Sequence, residues 1–94
     1  MSVRRKIKRV VDGDTLELYT RIGNSRFVRL SGVNAPEKHE RGGRTATNML
    51  RGMVGGRTVT IRPEARDIYG RVVGTVISDW RNVNARMRRK LWML

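Results

Sequence analysis

Hydrophobic and polar positions change their period several times along this 94-residue chain, and each change marks the edge of an element. Val3, Ile7, Val10 and Val11 interleave with basic residues and predict a first strand over 3–11. Asp12-Gly13 breaks it, as Asp-Gly pairs do. Thr15-Leu16-Glu17-Leu18-Tyr19-Thr20 then alternates, with Leu16 and Leu18 inward and Glu17 and Tyr19 outward. Gly23-Asn24-Ser25 is a turn, and a third strand over 26–33 completes a meander. Asn34-Ala35-Pro36-Glu37 stops the sheet, because Pro donates no hydrogen bond and restricts the residue before it.

Residues 38–43 are polar and read as an exposed loop. Ala46, Met49, Leu50, Met53 and Val54 recur at helical spacing and form one apolar face, ended by Gly55-Gly56. A fourth strand covers 57–62 and ends at Pro63; a loop covers 64–70 and a β-branched fifth strand 71–78. Asn82 or Asn84 caps a closing helix with Val83, Met87, Leu91 and Leu94 on one side and Arg86, Arg88, Arg89 and Lys90 on the other. Trp80 and Trp92 are assigned to the core by their spacing.

Five strands with a helix between the third and fourth is the element order of an OB-fold barrel. A mixed sheet with two packed helices gives nearly the same string, but small size and the β-first order favour the barrel. The expected class is therefore β-rich α+β: a five-stranded OB-fold barrel with that helix and a C-terminal one. No repeat, linker or low-complexity tract divides the chain, so 1–94 is expected to be a single domain.

Composition adds the partner. The hydrophobic fraction of 38% supports one modest core, and the absence of Cys removes both disulfides and thiolate metal sites. No apolar run approaches the roughly 18 residues of a membrane span, and no stretch joins a basic face to a wide apolar one. The basic start is followed by no apolar segment, so the expected compartment is cytoplasmic unless a leader was removed. Twenty-one Lys and Arg against 8 Asp and Glu give a charge of +13, and pI is about 11.7. Such a surface binds polyanions with strong salt dependence. Nucleic acid, DNA or RNA, is the expected partner of an expected monomer. Charge alone does not separate an enzyme from a structural nucleic-acid protein.

Asp12, Asp14 and Glu37 are three of only 8 acids, held close together on this basic chain. An EF-hand reading of Asp12-x-Asp14 fails, because Leu16 stands at the third acidic position and Glu17 at the required Gly. On its own, Asp12-Gly13-Asp14-Thr15 is a turn held by an Asx bond, and Glu37 is a loop carboxylate. Arg29 within the third strand and Arg71 in Asp67-Ile68-Tyr69-Gly70-Arg71 change the picture. Two guanidiniums offer planar forks to the non-bridging oxygens of a phosphodiester and stay charged at any working pH. Carboxylate oxygens hold a hard cation that stabilises the same charge. Calcium or magnesium suits such ligands; zinc does not, with one His and no Cys. His39 reads as a solvated loop residue and Tyr69 as a ring for stacking on a base. The basic run Arg86-Met87-Arg88-Arg89-Lys90 is either a solvated helix face or a phosphate contact.

Four separated stretches carry a family pattern: Val11-Asp12-Gly13-Asp14-Thr15, Arg29 to Glu37 (Arg-Leu-Ser-Gly-Val-Asn-Ala-Pro-Glu), Tyr69-Gly70-Arg71, and residues 79–87. Together they resemble the staphylococcal nuclease (thermonuclease) family over nearly the whole chain. The resemblance implies calcium-dependent hydrolysis of DNA and RNA to 5′-hydroxyl and 3′-phosphate ends. It implies Asp14 as principal calcium carboxylate supported by Asp12 and Thr15, the Ala35 carbonyl as a backbone ligand, and Glu37 as general base. Arg29 and Arg71 become the phosphate clamps, and Tyr69 the tyrosine of the nucleotide pocket. One position departs: Asn34 stands where the family usually has Asp, so a metal ligand loses its charge. Magnesium or another hard divalent cation is an alternative at such a site. The alternative function is a catalytically weakened OB-fold module that binds nucleic acid.

Overall fold

The computed structural model describes residues 1–94. The meander of β1 (Val3–Asp12), β2 (Thr15–Ile22) and β3 (Ser25–Leu30) is followed by α1 (Gly43–Val54). Then come β4 (Thr58–Arg66), β5 (Val72–Ser78), the two-residue β6 (Arg81–Asn82) and α2 (Val83–Trp92). The sheet order is β3-β2-β1-β4-β5-β6, and a parallel pairing of β3 with β5 joins its ends into a barrel. Val28 pairs with Val72, Arg29 with Val73 and Leu30 with Gly74 along that seam. The five-stranded OB-fold barrel, the helix after its third strand and the C-terminal helix are all present; β6 is a short addition.

Alternation decides which side chains fill the barrel. In β5 every second residue is buried, from Val72 to Ser78. Ile7, Leu16, Leu18, Val28, Leu30 and Ile61 are fully buried beside them. Leu50 and Val54 of α1 and Val83 and Met87 of α2 join the same cluster. Each such side chain stabilises the fold by about 1.5–3 kcal/mol on leaving water.

Four expectations from the sequence need correction. β3 ends at Leu30 rather than at residue 33, because the chain turns at Ser31-Gly32 and Gly32 takes φ 70°. β4 does not stop at Pro63 but runs to Arg66; a bulge between Pro63 and Ala65 accommodates the missing donor. Leu94 lies past the end of α2 and is 56% exposed, so it does not continue the buried face. Trp80 and Trp92 are 96% and 89% exposed, respectively, so neither serves the core. Trp92 is the last residue of α2. Trp80 sits with Asp79 in the turn between Ser78 and Arg81, at φ 67° and 53°. A two-residue turn of this kind needs positive φ at both central positions and favours Asp-Gly; a bulky side chain there costs about 1–2 kcal/mol.

Of the two asparagines offered as the cap of α2, the structure selects one. Asn82 alone is the cap, its side-chain oxygen accepting from Ala85 N at 2.9 Å. Asn84 is buried instead. Its Oδ1 accepts from Val76 N at 2.9 Å, and its Nδ2 donates to the carbonyls of Ser31 and Gly74, both at 3.0 Å. One amide thus binds α2 to β5 and to the turn after β3.

Candidate active site

The turn from β1 to β2 carries the two close carboxylates. Asp12 Oδ1 accepts from Asp14 N at 3.2 Å, the Asx bond that shapes the turn. Asp14 is only 8% exposed. Its Oδ1 accepts from the Thr15 hydroxyl at 2.9 Å, and its Oδ2 from Ala35 N at 3.1 Å. Glycine is required between them: a Cβ on Gly13 would stand 2.7 Å from the Cβ atoms of both Ala35 and Ala46. That close approach seats the turn on α1 and on the segment that leads to Glu37.

Arg29 reaches the same carboxylate from β3. It pairs with Thr15 on one side and Val73 on the other. Its Nη2 lies 3.5 Å from Asp14 Oδ2 and donates to Asn34 Oδ1 at 2.7 Å, while Nη1 donates to the Leu30 carbonyl at 3.3 Å. Asp14, Arg29, Asn34 and the Ala35 amide therefore form one connected group, with Asp12 and Thr15 directly behind Asp14.

Arg71 is brought near by the barrel seam rather than by a hydrogen bond. It stands two residues before Val73, the partner of Arg29, just ahead of β5, so strand alternation sets the two residues on one side of the seam with a backbone offset of about 7 Å. Asp67 orients it: Oδ2 accepts from Arg71 Nε at 2.6 Å, and Oδ1 from the backbone N–H of Arg71 at 2.9 Å and of Tyr69 at 3.0 Å. Burial opposes the Asp67 charge, but the Arg71 side chain and these two amides outweigh it and hold the carboxyl below its usual range. Neither terminal nitrogen of Arg71 makes a hydrogen bond within the protein. Its guanidinium also lies 5.3 Å from the centroid of the Tyr69 ring, which is 76% exposed. Asp67 is the residue that sequence reasoning left unassigned; its spacing to Gly70 and Arg71 was the available signal.

Glu37 is placed differently. Its N–H donates to Glu40 Oε1 at 2.7 Å, its carbonyl accepts from Glu40 N at 2.9 Å, and its carboxylate faces His39 Nε2 at 3.4 Å. No side-chain bond joins it to Asp14, Arg29 or Arg71. Its segment is fixed from below by α1, where a Cβ on Gly43 would overlap the Glu37 carbonyl. No group of three or more His, Cys, Asp or Glu side chains converges as a metal cluster.

The donors that do converge suit one hard cation. Asp14 keeps lone pairs beyond its present bonds, and Asn34 offers Oδ1; both now meet the Arg29 guanidinium. Burial, and then the neighbouring Asp14, push the Asp12 carboxyl up from 3.8 to about 6. The consequence for stability has a definite sign. Folding favours the proton on Asp12, so its contribution is complete below about 3.8 and is lost as pH rises toward 6. Asp12→Asn, measured in chelator by thermal melts, is expected to raise Tm by a few degrees near neutral pH and by nothing below about pH 3.5. An equal gain at both pH values would remove ionisation as its cause.

A concavity of about 510 Å³ lined by Asn34, Arg88, Arg89 and Trp92 borders this group. Another of about 360 Å³, lined by Arg21, Arg26, Phe27 and Tyr69, lies beside the Tyr69 ring. The basic run of α2 thus borders the site, which a helical wheel alone did not reveal.

Residues 27–90 match the model of the family described as staphylococcal nuclease homologue. The chain is 41% identical over 88 residues to an uncharacterized endonuclease of Escherichia coli, covering 93% of this chain and 57% of that protein. It is 37% identical over 94 residues to Protein ParB of Escherichia coli, covering 90% and 52%. It is 32% identical over 87 residues to Endonuclease YhcR of Bacillus subtilis (strain 168), covering 78% of this chain and 7% of that one. The chain spans about half the length of the two Escherichia coli relatives.

Proposed function

The chain belongs to the staphylococcal nuclease homologue family, and from that premise we propose that its single domain hydrolyses phosphodiester bonds of DNA and RNA with the help of a hard divalent cation. Calcium is the cation that the family resemblance implies, with 5′-hydroxyl and 3′-phosphate ends as products. The observation that supports this most is the hydrogen-bonded group of Asp14, Arg29 and Asn34 beside the unbonded fork of Arg71.

Asp14, Asn34 Oδ1 and the Ala35 carbonyl would hold the cation, with Asp12 and Thr15 behind them. When bound, it supplies Lewis-acid neutralisation of phosphate charge. Arg29 and Arg71 hold the non-bridging oxygens and are already in place as charge builds there. Glu37 takes a proton from water as the water oxygen bonds to phosphorus. The P–O5′ bond breaks opposite it, and O5′ leaves with the electron pair and takes a proton from solvent water to become the hydroxyl. Arg71 lies on the side of that leaving oxygen, and Tyr69 faces the nucleotide.

Digestion of plasmid DNA and of RNA with calcium, magnesium or chelator, followed by end-group analysis, tests this reading. Products with 5′-phosphate ends, or equal cutting in chelator, would overturn it. Asn34 gives a sharper check, because its Oδ1 is a neutral ligand already bonded to Arg29. Asn34→Asp is expected to tighten calcium binding by on the order of tenfold, since affinity follows ligand charge. Calorimetric titration with no gain would place residue 34 outside the metal site.

The neutral Asn34 and the lack of a three-acid cluster favour one second reading, a barrel that holds nucleic acid without cutting it. Oligonucleotide binding with no cleavage under any divalent cation would establish it.

A further inference from the structure

The largest concavity of the molecule lies away from this site. It measures about 730 Å³ and is lined by Arg4, Arg57, Thr58, Thr60, Asp79 and Trp80, among others. Arg4 and Thr60 are paired across β1 and β4, and Thr60 is paired with Ile77 of β5. The three form one row on the outside of the barrel, and Arg4 Nη1 donates to the Thr60 hydroxyl at 3.2 Å. A smaller hollow of about 260 Å³ continues it past Arg57 to Arg81 and Arg86. Four arginines therefore surround a groove whose one acid is Asp79.

Trp80 stands at its edge in a conformation that only a glycine takes freely, φ 67°, with 96% of its surface in water. It packs on nothing that would explain its presence in the fold. Strain at such a residue is a reason to look for function. A flat exposed indole beside arginines and hydroxyls is what an unpaired base and its phosphates require. We propose that this groove is a second contact for single-stranded nucleic acid, with Trp80 stacking on a base while Arg4, Arg57 and Arg81 hold the phosphates. It rests on the reading of the chain as an enzyme of nucleic acid. β5 separates Trp80 from Arg71 by roughly 20 Å, so a strand long enough occupies both places and a dinucleotide does not.

Trp80→Gly separates binding from folding, because glycine relieves the turn. The variant is expected to melt higher than the wild type, yet to bind a 20-nucleotide oligothymidylate in chelator about tenfold more weakly. Its cleavage of a dinucleotide in calcium is expected to be unchanged. In a Trp92→Phe background the remaining indole fluorescence is expected to quench on addition of the same oligonucleotide. Arg57→Ala is expected to weaken binding and flatten its salt dependence. Equal affinity of Trp80→Gly and wild type, or Trp80 emission that responds to phosphatidylglycerol vesicles and not to the oligonucleotide, would overturn the proposal. Cleavage without quenching removes this groove alone; quenching without cleavage removes the nuclease reading and leaves the groove.

Discussion

Arg71→Ala is expected to lower single-turnover cleavage of plasmid DNA by about a hundredfold or more. The size follows from how Arg71 is held. Asp67 engages its Nε at 2.6 Å and its backbone N–H at 2.9 Å, which fixes the side chain but leaves both terminal nitrogens for a phosphate. Arg29 is more committed, with Nη1 on the Leu30 carbonyl and Nη2 shared between Asp14 and Asn34. In the proposed reaction, charge developing on the leaving oxygen therefore has Arg71 as its most available partner. Arg71→Lys keeps the charge but loses the planar fork, and is expected to recover only a small part of the rate. A rate for Arg71→Ala within about threefold of wild type would take this residue out of the reaction.

Glu37→Gln is expected to cost still more, about 10²–10⁴ in rate, with oligonucleotide affinity in calcium unchanged. The substitution preserves size and removes basicity. In the free protein the Glu37 carboxylate is 67% exposed and turned to His39, and contacts of this kind commonly tighten only once substrate is bound. An unaltered rate would mean that another group accepts the proton.

Much of the barrel was legible because alternation is local: Leu16, Leu18 and the residues of β5 declare their faces within a few positions. Asp14, Arg29 and Asn34 could be proposed together only through the family resemblance of their motifs, and their side chains do meet. What spacing did not convey was closure. The parallel seam of β3 with β5 joins segments about forty residues apart, and only that pairing sets Arg29 and Arg71 on one side of it. Pro63 was misread because a bulge is a property of two strands, not of one. Trp80 was misread because hydrophobicity predicts burial only where the backbone points inward, and its turn points out. Asn84 looked like a cap because a buried amide and a capping amide are the same residue until the neighbours are known.

The seating of Glu37 has a further implication. Arg29 belongs to the ladder and Arg71 is clasped by Asp67 at its edge, so both can let go only when the barrel itself opens. The proposed proton acceptor rides on a polar arm pinned chiefly where α1 meets its carbonyl. Warming should loosen the arm first. Short of melting, the molecule would then enter a window in which it still grips a strand but has stopped cutting it.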